Sequence, residues 1–179
     1  IRTFQGLDNN GTSTLTLSQG TTTLEPITTS EVVGLVMTTA DEVAHIMPIP
    51  WDLDRCKTVL ARLFFQHAAA GADTPQFTFT SAFFEKQAAM TEFIANADKS
   101  TAFAAHTCST TNPSLEVTDW EDLSWEDYLT ADDVLVGFSV ELNALGSASA
   151  DECKLLGVEF GYQVKATDIV RRKTEHELN

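Results

Sequence analysis

The chain has 179 residues, the length of one domain or of one domain carrying arms. Apolar residues make up 43%, enough for one sizeable core, so wholesale disorder is not expected. Against 11 Lys and Arg stand 26 Asp and Glu, a net charge of −15, which argues against a nucleic-acid partner held through its phosphates. No run of 18 apolar residues is present, so no membrane-spanning helix is expected.

Residues 1–6 contain no apolar stretch of the signal-peptide kind. A chain that opens on Ile1 rather than Met is expected to have lost, or to lack here, what precedes it. Asn10-Gly11-Thr12 matches a glycosylation sequon, a short pattern that matters only in a secretory context. The Thr-rich opening, Thr14-Leu15-Thr16-Leu17 and Thr22-Thr23-Leu24, favours strands, because a branched Cβ packs well on a pleated surface. Short strands at Val32 to Met37 and Val43 to Met47 follow. Pro48 to Asp54 then breaks pairing with two prolines and an Asx-rich turn.

From Thr58 to Gln66, Val59, Ala61, Leu63 and Phe65 alternate with Leu60, Arg62, Phe64 and Gln66, which we read as a strand. Gly71 to Pro75 reads as a loop and Phe77 to Thr80 as a strand. Met90, Phe93, Ile94 and Ala97 fall on one helical face, predicting a short helix within Lys86 to Ala97. Two nine-residue alternations close the pattern. In the first, Val134, Val136, Phe138, Val140 and Leu142 share a face; in the second, Leu156, Val158, Phe160, Tyr162 and Val164 do. This register makes Leu156→Asp and Phe138→Asp the substitutions expected to abolish folding. Gly157 and Gly161 share the opposite face of the last strand and predict a close approach there, by a backbone or a neighbouring subunit, or else a bulge.

No βαβ rhythm and no internal repeat is present, which leaves an all-β antiparallel sandwich. The expectation is a jelly roll of about eight strands with an extended N-terminal segment and at most one or two short helices. The proposed division is an arm with first strands over 1–40, the body over 41–167 and a charged tail over 168–179.

Chemistry is announced faintly. The densest cluster is the acidic belt of Asp119, Glu121, Asp122, Glu126, Asp127, Asp132 and Asp133, interleaved with Trp120, Trp125 and Tyr128. Oxygen ligands at that density suit calcium, although the D-x-D-x-D-G loop is missing. A glycosidase pair with stacking aromatics needs a defined carboxylate separation that spacing cannot give. A solvated acidic loop whose tryptophans cap the core is the simplest reading. Whether a metal binds at all stays open. Asp52 and Asp54 beside Trp51 suit an Asx turn better than a metal pair.

His45, His67, His106 and His176 lack HxH or HExxH spacing. Cys56, Cys108 and Cys153 are too few and too widely spaced for a disulfide framework or a zinc finger, and read as small buried hydrophobes. Cys56 with His67 is formally a nucleophile–base pair without an orienting partner. Ser147 and Ser149 read as loop. No catalytic residue and no cofactor is expected, and the chain is not expected to be an enzyme.

The stretch Ile46-Met47-Pro48-Ile49-Pro50-Trp51-Asp52-Leu53-Asp54-Arg55 enters a long strand, and Leu155-Leu156-Gly157-Val158-Glu159-Phe160-Gly161-Tyr162 forms the last one. Over roughly residues 41 to 165 this layout of strands and turns resembles jelly-roll structural proteins of bacteriophages and related viruses, in particular capsid decoration (cement) proteins. The resemblance implies a virion protein made in the host cytoplasm and placed on the capsid surface. It would be a homotrimer docked on the major capsid protein, with Ile1 to Leu24 as an arm, and without nucleic-acid or membrane contact. Two alternatives stay open. One is a single jelly-roll capsid protein of the acidic kind found in salt-loving viruses, against which six lysines count. The other is a carbohydrate-binding module of a virion fibre, using Trp120, Trp125, Tyr128 or Trp51 as its platform.

Overall fold

A computed structural model describes residues 14–16, 21–26, 33–67, 73–87, 98–110, 114–146 and 153–165. The expected helix within Lys86 to Ala97, the sequon, Ser147, Ser149, His176 and the C-terminal tail lie wholly or mainly outside these residues. Among the described residues the chain forms eleven strands: β1 (Thr14–Thr16), β2 (Thr21–Pro26), β3 (Val33–Met37), β4 (Glu42–Pro48), β5 (Val59–His67), β6 (Gln76–Glu85), β7 (Lys99–Ala102), β8 (Ser114–Val117), β9 (Glu121–Asp122), β10 (Asp133–Ala144) and β11 (Cys153–Tyr162). A single 3-10 turn, Trp125–Asp127, separates β9 from β10.

Two antiparallel sheets result. One runs β1-β2-β3-β11-β5-β8, with β9 also on β5; the other runs β4-β10-β6-β7. The pairings describe one long hairpin folded on itself. β3 pairs with β11, β4 with β10, β5 with β8 and β6 with β7. Rolling that hairpin brings β11 onto β5 and β10 onto β6. This is the jelly roll expected from the sequence, with eight strands in the roll. β1 and β2, in the Thr-rich opening, extend the first sheet beyond β3.

The core lies between the sheets, where period-2 alternation puts it. Val59, Ala61, Leu63 and Phe65 are buried on β5, Phe77 and Phe79 on β6, and Val136, Phe138, Val140 and Leu142 on β10. Removing each of the Val, Leu and Phe side chains from water contributes roughly 1.5–3 kcal/mol. Rings fill the centre: Phe79 stacks on Phe138 at 5.2 Å, and Phe160 meets Phe138 edge-on at 5.3 Å.

The last strand departs from the expected register. Gly157 pairs with Phe64 and Leu155 with Phe65, so Leu156 is an extra residue on β11, a β-bulge. The bulge switches the parity of the buried face. Val158 and Phe160 sit opposite Leu63 and Ala61, whereas beyond it Leu155 and Cys153, not Leu156, sit opposite Phe65 and His67. Leu155 is 1% exposed, and Leu156, half-buried, lies against Gly34 on the other side. The two glycines thus serve separate purposes: Gly157 follows the bulge, and Gly161 makes room for the Trp120 ring, 3.4 Å from where a Cβ would stand.

Leu155→Asp and Phe138→Asp are each expected to cost more than about 4 kcal/mol and to leave no cooperative melt, because each buries an unpaired charge. Leu156→Asp is expected to cost about 1 kcal/mol. Circular-dichroism melts of the three variants check the register; an unfolded Leu156→Asp beside a folded Leu155→Asp would refute the bulge.

Candidate functional site

The acidic belt does not converge. Its carboxylates are distributed over local turns, each accepting from nearby donors. Asp122 accepts from the Ser124 amide at 2.7 Å and Glu121 from the Ala104 amide at 2.9 Å. Glu126 accepts from the Thr58 hydroxyl at 3.1 Å. Asp133, buried, accepts from the amide and hydroxyl of Thr130, and Arg55 donates to the carbonyls of Thr130 and Asp133. Asp119, Asp127 and Asp132 are exposed. No three belt carboxylates share a point where one cation could sit, so the calcium option finds no ligand set in this loop.

The aromatics do not form a platform either. Trp125 is 1% exposed and donates its indole N–H to the Ser81 hydroxyl at 2.8 Å, so it is core. Trp120 lies on the outer face of the first sheet with the Arg62 guanidinium 4.5 Å from its ring centre. Arg62 is itself paired with Glu159 at 2.6 Å. Tyr128 lies near Lys99, 5.9 Å away. Trp51 is 68% exposed, at a different place. It borders a cavity of about 640 Å³ between the β4–β5 turn and β11, lined also by Phe138, Phe160, Tyr162 and Asp52.

Asp52 and Asp54 hold that turn together. Asp54 accepts from the Cys56 amide, its own amide donates to the Gln163 carbonyl, and Asp52 accepts from the Tyr162 hydroxyl and, through its carbonyl, from the Lys165 amide. Cys56 is exposed, contrary to the expectation of burial, because the turn projects it outward after Asp54. It precedes β5, while His67 ends it, so the strand's full length separates them and no nucleophile–base pair forms.

The groups that do converge lie at the other end of the sandwich. After β7 the chain runs alongside residues 73–77, with Phe103 donating to Phe77, His106 to Pro75 and Cys108 to Asp73. This puts His106 and Cys108 two residues apart on an extended segment, hence on one side of it. Glu116 reaches the same place from the opposite sheet, because β8 pairs Glu116 with Phe65 of β5. His106 Nε2 and Glu116 Oε2 are 3.0 Å apart. Ligand atoms of His106, Cys108 and Glu116 all lie within 4.8 Å of one another, the one such set of three among the described residues. Beside it His67 Nε2 meets Asp73 Oδ2 at 2.7 Å, both buried, and Cys153 is the strand partner of His67. His67 Nδ1 is buried without a hydrogen-bond partner among the described residues.

Electrostatics follows from this packing. Burial, then the carboxylates of Glu116 and Asp73, push the Cys108 thiol up to about 12. Burial and then Cys108 push Cys153 upward as well. Neither is an activated thiolate, which requires a depressed pKa. Burial alone would raise Glu116. Hydrogen bonds from the Ser114 hydroxyl, the His106 ring and the Ser109 amide, with the charge of His106, outweigh it and hold the carboxyl below its ordinary 4.5.

The sequence singles out His67, His106, Cys108 and Cys153 without joining them, and it does not mark Glu116 or Asp73 as site residues. An H-x-C pair on an extended segment was the available signal; the contribution of Glu116 depends on pairing between β8 and β5. Comparison with protein-family models, with curated proteins and with solved structures gave no match.

Because the folded pKa of Glu116 lies below the unfolded one, its contribution to stability is fully present above about pH 4.5 and is lost as pH falls through the folded value. Denaturant melts between pH 7 and 3, with a chelator present, should show a steeper acid loss for the native chain than for Glu116→Gln. Parallel acid limbs would refute the assignment.

Proposed function

We propose that the chain is a structural subunit of a virus particle, a jelly-roll domain that docks as an oligomer on or within an icosahedral shell and performs no catalysis. The observation that carries this reading is the strand order β3-β11-β5-β8 facing β4-β10-β6-β7. Jelly rolls of eight strands are the fold of many capsid domains, and of lectin domains. The inference from fold to role is one of analogy. The layout of the Pro48 to Arg55 turn and of the last strand supports the narrower reading, a decoration protein bound as a homotrimer to a major capsid protein. The distribution of its carboxylates over turns fits a protein whose acidic side chains build loops rather than a reaction centre.

A shell subunit needs apolar surface to dock through. Trp51 (68% exposed), Leu115 (65%), Ile46 and Val134 supply single exposed apolar side chains of the kind that become anchors at interfaces. The net charge of −15 keeps free copies apart at low salt and is screened at high salt. A second reading, a carbohydrate-binding module, is favoured by one observation, the exposed Trp51 at the rim of an aromatic-lined cavity with Asp52 and Tyr162.

Light scattering across low and high salt is the test. A mass near three times 19.5 kDa, rising in population with salt, is the expected outcome. Trp51→Ala should weaken the association at least tenfold without lowering the melting temperature. A monomer at every salt concentration that retains oligosaccharides on a glycan array would overturn the shell reading in favour of the second.

A further inference from the structure

We infer that His106, Cys108 and Glu116 form a binding site for one divalent ion of the zinc type, a staple between the two sheets toward the His67 end of β5. The site is independent of the proposed shell role and would stand if that role failed.

The donor set selects the ion. One imidazole nitrogen, one thiolate sulfur and one carboxylate oxygen suit zinc, whereas calcium and magnesium take oxygen ligands throughout. A tetrahedral zinc with bonds of about 2.0–2.3 Å needs its ligand atoms about 3.3–3.6 Å apart. His106 Nε2 and Glu116 Oε2 are already 3.0 Å apart, and no pair in the set exceeds 4.8 Å. An opening of a few tenths of an ångström on one side, and a closing of at most about 1.5 Å on the other, completes the geometry. Cys108 is 4% and Glu116 8% exposed, while the His106 side chain is 21% exposed, so an ion can reach the site from the His106 side and water can supply a fourth ligand.

The surroundings are those of a held site. The second oxygen of Glu116 is fixed by the Ser109 amide at 2.9 Å and by the Ser114 hydroxyl. The backbones of His106 and Cys108 are fixed by the carbonyls of Pro75 and Asp73. Second-shell bonds of this kind orient ligands and raise affinity. Asp73, a carboxylate buried next to Cys108 and paired with His67, adds negative potential where the cation would sit. On binding, the S–H bond of Cys108 breaks, its proton leaves to solvent and the sulfur lone pair forms the metal bond; any proton between His106 and Glu116 leaves likewise. Ligands come from both layers, His106 and Cys108 from the segment running beside residues 73–77 and Glu116 from β8 on β5. The bound ion would therefore tie the sheets together.

The test uses the full chain, reduced and stripped with a chelator, then titrated with zinc alone and with cobalt alone as a spectroscopic probe. The expected result is one zinc retained per chain after dialysis, a cobalt complex with a sulfur-to-metal charge-transfer band, and a rise in melting temperature with zinc, since an ion bound only by the folded state must stabilise it. Cys108→Ala should lose the charge-transfer band, and His106→Gln and Glu116→Gln should each weaken zinc binding at least tenfold, while Cys56→Ser changes nothing. Cys108→Ala replaces a small buried side chain by a smaller one and is expected to stay folded; its own melt, without metal, verifies this. No retained zinc, a melting temperature indifferent to zinc, or a charge-transfer band that survives Cys108→Ala and disappears with Cys56→Ser would overturn the site.

Discussion

The two sheets are held in register by a column of aromatic rings. Phe79 and Phe138 stack nearly parallel, with an interplanar angle of 13°, Phe160 meets both edge-on, and Trp125 continues the column from the 3-10 turn through Phe160 and Phe83. These residues come from β6, β10, β11 and the loop before β10, so the column can form only when the long hairpin has been rolled. Each such ring pair adds about 0.5–1.5 kcal/mol to the area it buries. Trp125 also carries the one polar handle of the column, its bond to Ser81, which fixes the ring's angle and hence the path of the acidic loop around it.

The Leu156 bulge follows from the same constraint. Phe160 must face Phe138 and Val158 must face the core, while at the far end of β11 Leu155 and Cys153 pack beside Phe65 and His67. A strand of strict alternation cannot place even-numbered and odd-numbered residues on one face. One extra residue can. In the sequence both Leu155 and Leu156 are apolar, so the pattern carries no mark of where the parity changes, and the alternation read from Leu156 to Val164 begins on the bulged residue. On β5 from Val59 to Phe65 and on β10 from Val136 to Leu142 the expected face is buried, but Val134, expected on that same face, is 44% exposed because the pairing of β10 with β6 shifts between Asp133 and Leu135. The outcome for the tryptophans differs for another reason. Trp120 and Trp125 sit five residues apart in one acidic stretch, and only the 3-10 turn between β9 and β10 sends the second inward and leaves the first over Gly161.

The convergence at the other end of the sandwich shows why spacing failed there. His106 and Cys108 are neighbours on an extended segment, but Glu116, His67, Asp73 and Cys153 arrive from β8, β5, the segment before β6 and β11. A zinc finger writes its ligands close together because a short turn must hold them. A jelly roll has no such need: its crossovers bring distant strand ends to one place, and the ligand list is then set by strand pairing, of which the sequence carries no direct record.

The acidity of the chain is a consequence of its turns before it is anything else. Thr38-Thr39-Ala40-Asp41 and Thr130-Ala131-Asp132-Asp133 repeat one arrangement: the last carboxylate accepts from the amide and the hydroxyl of the threonine three residues earlier. The two turns lead into β4 and β10, which pair with one another. Asp54 and Asp122 hold their turns the other way, each accepting from the amide two residues later, and Asp98 accepts from the Phe83 amide beside β6 and β7. A fold with a turn every few residues has many amide donors to satisfy, and a short carboxylate satisfies them locally. Against 26 Asp and Glu stand only 11 Lys and Arg, a formal net charge of −15. Copies of this chain therefore repel one another within a Debye length, about 30 Å at about 0.01 M salt and about 10 Å at about 0.1 M. The proposed association would then have to come from side chains that carry no charge, such as Ile46, Trp51, Leu115 and Val134 among the described residues, where ions screen the remainder. The same carboxylates that close the turns thus set the conditions under which an interface could form, and they confine it to the few apolar places that the turns leave open.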